Sequence, residues 1–123
     1  VDFVLNNFER MWGGELFVPK IPSYNILDIA KAIAPECEYK IVGIRPGEKL
    51  HEEMITESDA MNTIEFDDYY VIVPSIKIWS KTKFLNQSTD NIGKPCSDGF
   101  SYNSKSNSQF LTVEELRELI QTI

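Results

Sequence analysis

Residues 41–55 read IVGIRPGEKLHEEMI. The β-branched stretch that runs into it predicts a strand over 39–44. Arg45-Pro46-Gly47 predicts a turn, with Pro at its second position and Gly at the third, where a positive φ is wanted. A helix is expected over 48–53, an extended stretch over 54–56 and a short helical turn over 57–61. This geometry presents a guanidinium and a carboxylate three residues apart at one strand end. The planar fork of Arg45 can grip phosphate oxygens in bidentate fashion. A carboxylate such as Glu48 accepts hydrogen bonds from two vicinal hydroxyls, as a ribose offers, and Lys49 adds a second cation. The trio suits a clamp for a nucleoside diphosphate. The same spacing suits a plain exposed ion pair between Arg45 and Glu48 across a tight turn.

Outward from this segment the chain alternates short helices and strands. Toward the N-terminus, Val1, Val4, Leu5, Phe8, Met11 and Trp12 recur at helical spacing until Gly13-Gly14 stops them. A short strand is expected over 15–18, closed by Pro19. A second helix spans 25–34, with Ile26, Ile29, Ala30 and Ile33 on its apolar stripe and Pro35 at its end. Toward the C-terminus, DYYVIVP at 68–74 predicts a strand. The stretch 75–109 holds eight serines and few periodic apolar positions. It reads as a polar arm that could grip a neighbouring subunit, or as several short strands, one of them at 100–102. Thr112 and Glu115 form a capping box for a final helix with Val113, Leu116, Leu119 and Ile120 on its buried face. The expectation is an α/β fold, with 1–123 as one domain, 75–109 as its arm or loop region and 110–123 as its terminal helix. Because the sequence starts at Val1, inside a helical pattern and without a methionine, it reads as the C-terminal piece of a longer protein.

Composition narrows the function classes. The chain has 123 residues, 42% hydrophobic and 25% charged, within the range of ordinary globular proteins. Twelve basic against nineteen acidic residues give a net charge of −7. Residues 1–56 hold 6 basic and 9 acidic groups, and residues 57–123 hold 6 and 10. An acidic surface spread over both halves argues against a nucleic-acid partner, which needs a basic stripe, and against an anionic membrane. No apolar run approaches the ~20 residues of a membrane span, and a signal-peptide pattern is missing.

His51 is the single histidine, and it has no recognised metal spacing with Cys37 and Cys96, so no metal site is expected. The two cysteines read as reduced thiols. There is no glycine-rich fingerprint after a strand. None of the five tyrosines has a lysine four positions on, the pair that carries proton transfer in short-chain dehydrogenases. Glu52 and Glu53 are adjacent and read as solvated rather than as a catalytic dyad. Lys20 sits between a strand and a helix, where a phosphate contact is conceivable, and reads first as a solvated lysine. Asp67-Asp68-Tyr69-Tyr70, Trp12 and Trp79 read as packing or interface positions.

With IVGIRPGEKLHEEMI in hand, the sequence resembles the nucleotide-sugar 4,6-dehydratases of the extended short-chain dehydrogenase/reductase superfamily. Within them it most resembles the inverting UDP-N-acetylglucosamine branch of pseudaminic acid and surface polysaccharide synthesis. Further matching stretches are NNFERMWGGELFVPKIPS, ILDIAKAIAPE, EFDDYYVIVP and YNSKSNSQFLTVEELREL. The resemblance implies a lyase in which tightly held NADP takes hydride from C4 of the sugar. The ketone acidifies the C5 proton, a base removes it and water leaves from C6. Hydride then returns to C6, and C5 is reprotonated on the opposite face. The product would be a UDP-4-keto-6-deoxy-L-hexosamine for bacterial surface glycans. It further implies that the cofactor loop and catalytic residues belong to a Rossmann domain that this sequence lacks. The chain would then be the substrate-binding portion, inactive alone, with Arg45 on the UDP diphosphate and Glu48 on the uridine ribose. A cytoplasmic homo-oligomer is implied for the parent. Alternatives are a non-catalytic oligomerisation or nucleotide-sugar-binding module, and a related epimerase or retaining dehydratase with the same clamp.

Overall fold

The computed structural model describes residues 1–76, 78–86 and 92–122. They divide into two compact units: residues 1–20 with 54–101, and residues 21–53 with 102–123.

The first unit is built on β-branched and aromatic segments, which suit a pleated, half-buried surface. Strands β1 (Leu16–Pro19), β3 (Thr63–Glu65), β4 (Tyr69–Ile72) and β5 (Lys94–Pro95) form a sheet in the order β1-β4-β3-β5, with every pairing antiparallel. Among the described residues the remaining strands are β2 (Glu53–Ile55) and β6 (Tyr102–Asn103). In the register, Val71 faces Phe17 on one side and Ile64 on the other. Side chains alternate faces along a strand, so these three share one face. There they meet Phe66, Val73 and Phe84, with Tyr69, Trp79 and Leu85 packed alongside. Helix α1 (Asp2–Phe8) and helix α3 (Lys81–Leu85) belong to this unit, as does a 3-10 helix over Glu57–Asn62.

The connections are pinned by specific polar contacts. The Trp79 indole N–H donates to the Gly13 carbonyl at 2.8 Å. Trp79 stacks on Phe84 at 4.8 Å, and Trp12 meets both rings edge-on at 5.5 Å. Trp12 N–H also donates to the buried Glu15 carboxylate. Gly93 packs so closely that a β-carbon there would lie 2.6 Å from Ile64 and 2.7 Å from Phe66.

The second unit pairs helix α2 (Ile26–Ile33) with helix α4 (Val113–Gln121). Asn25 caps α2 through its side chain, and Pro35 prevents extension beyond its C-cap. Thr112 and Glu115 cap α4 reciprocally, as the capping box requires. Ser23 and Phe110 form a parallel bridge, with Ser23 N–H donating to Gln109 and Leu111 N–H to Ser23. The Tyr102 hydroxyl accepts from Ile21 N–H and donates to the Ile21 carbonyl, both at 2.8 Å.

Several elements stand where the sequence places them: the second helix, β1, β2, the 3-10 turn, β4 and α4; the first helix forms but ends at Phe8, short of Met11, Trp12 and the Gly13-Gly14 stop. Four readings are corrected. Residues 39–44 carry no strand, because no ladder partner pairs with them among the described residues. Residues 48–53 form no helix: the backbone stays irregular after the turn until β2 begins at Glu53. Stretch 75–109, read as an arm or as several short strands, holds helix α3 besides the short strands β5 and β6; its residues 77 and 87–91 lie outside the described residues. On α4 only Leu116 is buried, while Leu119 and Ile120 are exposed.

Candidate functional site

The turn at Arg45 is closed by Glu48 N–H donating to the Arg45 carbonyl at 3.1 Å. Pro46 fixes φ and Gly47 supplies the positive φ that the turn needs. The Glu48 carboxylate then reaches back. One oxygen accepts from the Arg45 backbone N–H at 2.7 Å. The other accepts from Nε of the guanidinium and lies 2.6 Å from Nη2. The side chain of Arg45 is 85% exposed and that of Glu48 38%. Donation from the backbone N–H, and then from the guanidinium, holds the Glu48 carboxyl below the usual carboxylate range.

Both predicted site residues are therefore brought together, and they are paired with each other. Lys49, Leu50 and His51 follow on the same exposed stretch. Lys20 lies in the other unit. It pairs with Glu65 at 2.8 Å and sits 4.8 Å over the Tyr70 ring, which accounts for it without a phosphate. Lys20 also lines an open depression of about 290 Å³ with Glu65, Phe66, Asp67, Ile92 and Lys94. That depression includes neither Arg45 nor Glu48. It is absent from the sequence reading because its residues come from strand ends and loops far apart in sequence that only the sheet brings side by side.

Among the described residues no group of three or more His, Cys, Asp or Glu side chains could hold a metal ion. Cys37 and Cys96 are free thiols, and burial, reinforced by Glu65, pushes the Cys96 thiol up. A dinucleotide cradle needs a glycine turn leading from a strand into a helix N-terminus. The strand-to-helix connections here, 19–26, 72–81 and 103–113, contain no glycine, so these residues do not fit NADP. No helix among the described residues is long and apolar enough to cross a membrane.

The chain is thus a mixed α/β protein that carries an arginine and a glutamate on one exposed Pro-Gly turn. It belongs to the polysaccharide biosynthesis protein family, whose profile matches residues 1–74. It is 51% identical over 121 residues to a UDP-N-acetylglucosamine 4,6-dehydratase (inverting) of Campylobacter jejuni, a match covering 98% of this chain and 36% of that protein. It is 29% identical over 127 residues to a UDP-glucose 4-epimerase of Rickettsia massiliae, covering 100% of this chain and 36% of the epimerase. Among solved structures, Pen from Bacillus thuringiensis superposes with a TM-score of 0.72 at 24% identity, over 96% of this chain and 34% of that one; that likeness concerns the fold alone. The chain spans about a third of the length of the curated relatives it matches.

Proposed function

We propose that this chain is the nucleotide-sugar-binding portion of a 5-inverting UDP-N-acetylglucosamine 4,6-dehydratase. In this reading Arg45 holds the diphosphate and Glu48 the ribose hydroxyls of UDP. The observation that carries it is the juxtaposition of a forked cation and a carboxylate on one exposed turn, in a chain half identical to such a dehydratase along nearly its whole length. An exposed guanidinium meets phosphate oxygens by two parallel N–H donations, which a lysine at the same place would not reproduce. The carboxylate, held ionised, remains a pure acceptor for a pair of hydroxyl donors.

The chain's own residues bind and orient. The hydride transfers, for which NADP would be the acceptor and donor, and the proton transfers, which need acid and base side chains, belong in this reading to residues outside this chain. The whole enzyme would be cytoplasmic, soluble and homo-oligomeric, feeding the synthesis of a surface glycan.

The test is a chimera in which this chain replaces the matching third of the Campylobacter relative, supplied with UDP-N-acetylglucosamine. Loss of a charge-assisted phosphate contact is worth about 1.5–3 kcal/mol, so Arg45→Ala should raise KM at least about tenfold. Unchanged KM and kcat in that variant would remove the diphosphate role. Similarity to the epimerase supports a second reading in which the same clamp serves a different sugar chemistry. NMR of the chimera's product separates the two: a 6-deoxy-4-keto sugar inverted at C5 upholds the dehydratase, and a C4 epimer the alternative.

A further inference from the structure

We propose that Arg45 and Glu48 form a self-closed latch: a diphosphate is gripped by the side-on Nε/Nη2 edge of the guanidinium, the carboxylate occupies that edge beforehand, and the ligand enters by exchanging partners with it. This inference rests on the clamp reading above and adds how the site is kept closed.

The geometry supports it at three points. Nε and Nη2, one of the two edges with which arginine makes bidentate contacts, both lie 2.6 Å from a single Glu48 oxygen. A phosphate cannot take that edge while the carboxylate holds it. The second Glu48 oxygen is anchored on the Arg45 backbone N–H. Glu48 can therefore release the guanidinium and stay in place, so that opening frees both groups without unmaking the turn. Finally, Pro46 and Gly47 fix the turn through their own backbone preferences, so the side chains can exchange while the main chain stands still.

The consequence is quantitative. A ligand that meets a site only partly open binds with an affinity reduced by the open fraction. Exposed pairs of this kind hold weakly, which puts the closed fraction at about half to four-fifths. Freeing Arg45 should therefore tighten an anion about two- to fivefold, and no more.

Calorimetry on the 123-residue chain tests this with two probes, inorganic pyrophosphate and UDP. Pyrophosphate has no ribose and reads the cationic side of the clamp, in which Arg45→Ala isolates the part due to Arg45. Glu48→Gln should tighten pyrophosphate about two- to fivefold and weaken UDP, whose two ribose hydroxyls then face one acceptor oxygen and an NH2 donor in place of a carboxylate. Glu52→Gln removes a nearby exposed charge that does not touch Arg45, and so measures the general effect of one less carboxylate. The latch is overturned if Glu48→Gln tightens pyrophosphate no more than Glu52→Gln does. If Arg45→Ala still weakens UDP in that case, the clamp reading survives alone. If pyrophosphate and UDP fail to bind, or bind equally well to Arg45→Ala, latch and clamp both fall. A direct readout is the Arg45 Nε–Hε resonance. It should move from its carboxylate-bonded position on adding pyrophosphate, and a stationary signal under saturating pyrophosphate contradicts the exchange.

Discussion

At Glu48 a single carboxylate serves a backbone N–H and a guanidinium at once. Both donations favour the ionised form, and the folded state lowers its pKa. A depressed carboxylate contributes fully above the ordinary glutamate value of about 4.3 and is lost as pH falls through its own lower value. The Arg45 amide and Nε resonances should therefore hold steady down to mildly acid pH and shift together below it. A common midpoint at or above the ordinary glutamate value would contradict the pairing. The cysteines differ in the same local terms. Cys37 is exposed, whereas Cys96 is half-buried with its thiol pushed up. Since the thiolate is the nucleophile, mass spectrometry under limiting iodoacetamide near neutral pH should find Cys37 alkylated first. Gly93 is fixed by contact: a β-carbon would press into Ile64 and Phe66. Gly93→Ala should lower Tm by several degrees, as core overpacking of about 1–3 kcal/mol does in a chain this size.

Among the elements, α4 shows how far local chemistry reaches. Thr112 Oγ1 accepts from Glu115 N–H at 3.3 Å, and the Glu115 carboxylate accepts from Thr112 N–H at 2.8 Å. That box is written in four consecutive residues and was legible in sequence. Thr112→Ala should cost about 1 kcal/mol, read as a lower midpoint in urea with an unchanged slope. The Arg45 turn was equally legible, because Pro46 and Gly47 dictate their own backbone angles. The elements on either side of it were not. Residues 39–44 have the composition of a strand, yet Ile41 and Val42 stand 82% and 83% exposed. A strand exists only where another strand accepts its hydrogen bonds, and composition cannot supply that neighbour. The reach of Glu48 back to the Arg45 N–H imitates a capping box, but the backbone after it stays irregular until β2 begins.

For the whole molecule, the core of the first unit rests on residues far apart in sequence: Ile64, Phe66, Val71, Val73 and Phe84. Ile64 is fully buried, and Ile64→Ala should cost about 2–5 kcal/mol in equilibrium denaturation. By contrast, the helical stripe of α1 does not serve the core. Phe3, on another side of the helix, meets Tyr69 at 6.1 Å, and Asn7 is buried. Val4, Leu5 and Phe8 face solvent. A contiguous apolar stripe of this kind should bind a hydrophobic dye in the native state. Phe8→Lys should lower that fluorescence with little change in Tm; a marked fall in Tm would show that the stripe packs in solution.

By itself the sequence determined whatever depends on a residue and its near neighbours: the caps, the Pro-Gly turn, the periodicity of the first two helices and of α4, and the pairing of Arg45 with Glu48 as one of two open readings. Long-range contact alone settles which apolar stripe is buried, which β-branched run becomes a strand, and that Lys20 is held by Glu65 and Tyr70. Each of those outcomes depends on a partner dozens of residues away, whose free energy of contact exists only once the chain has closed on itself.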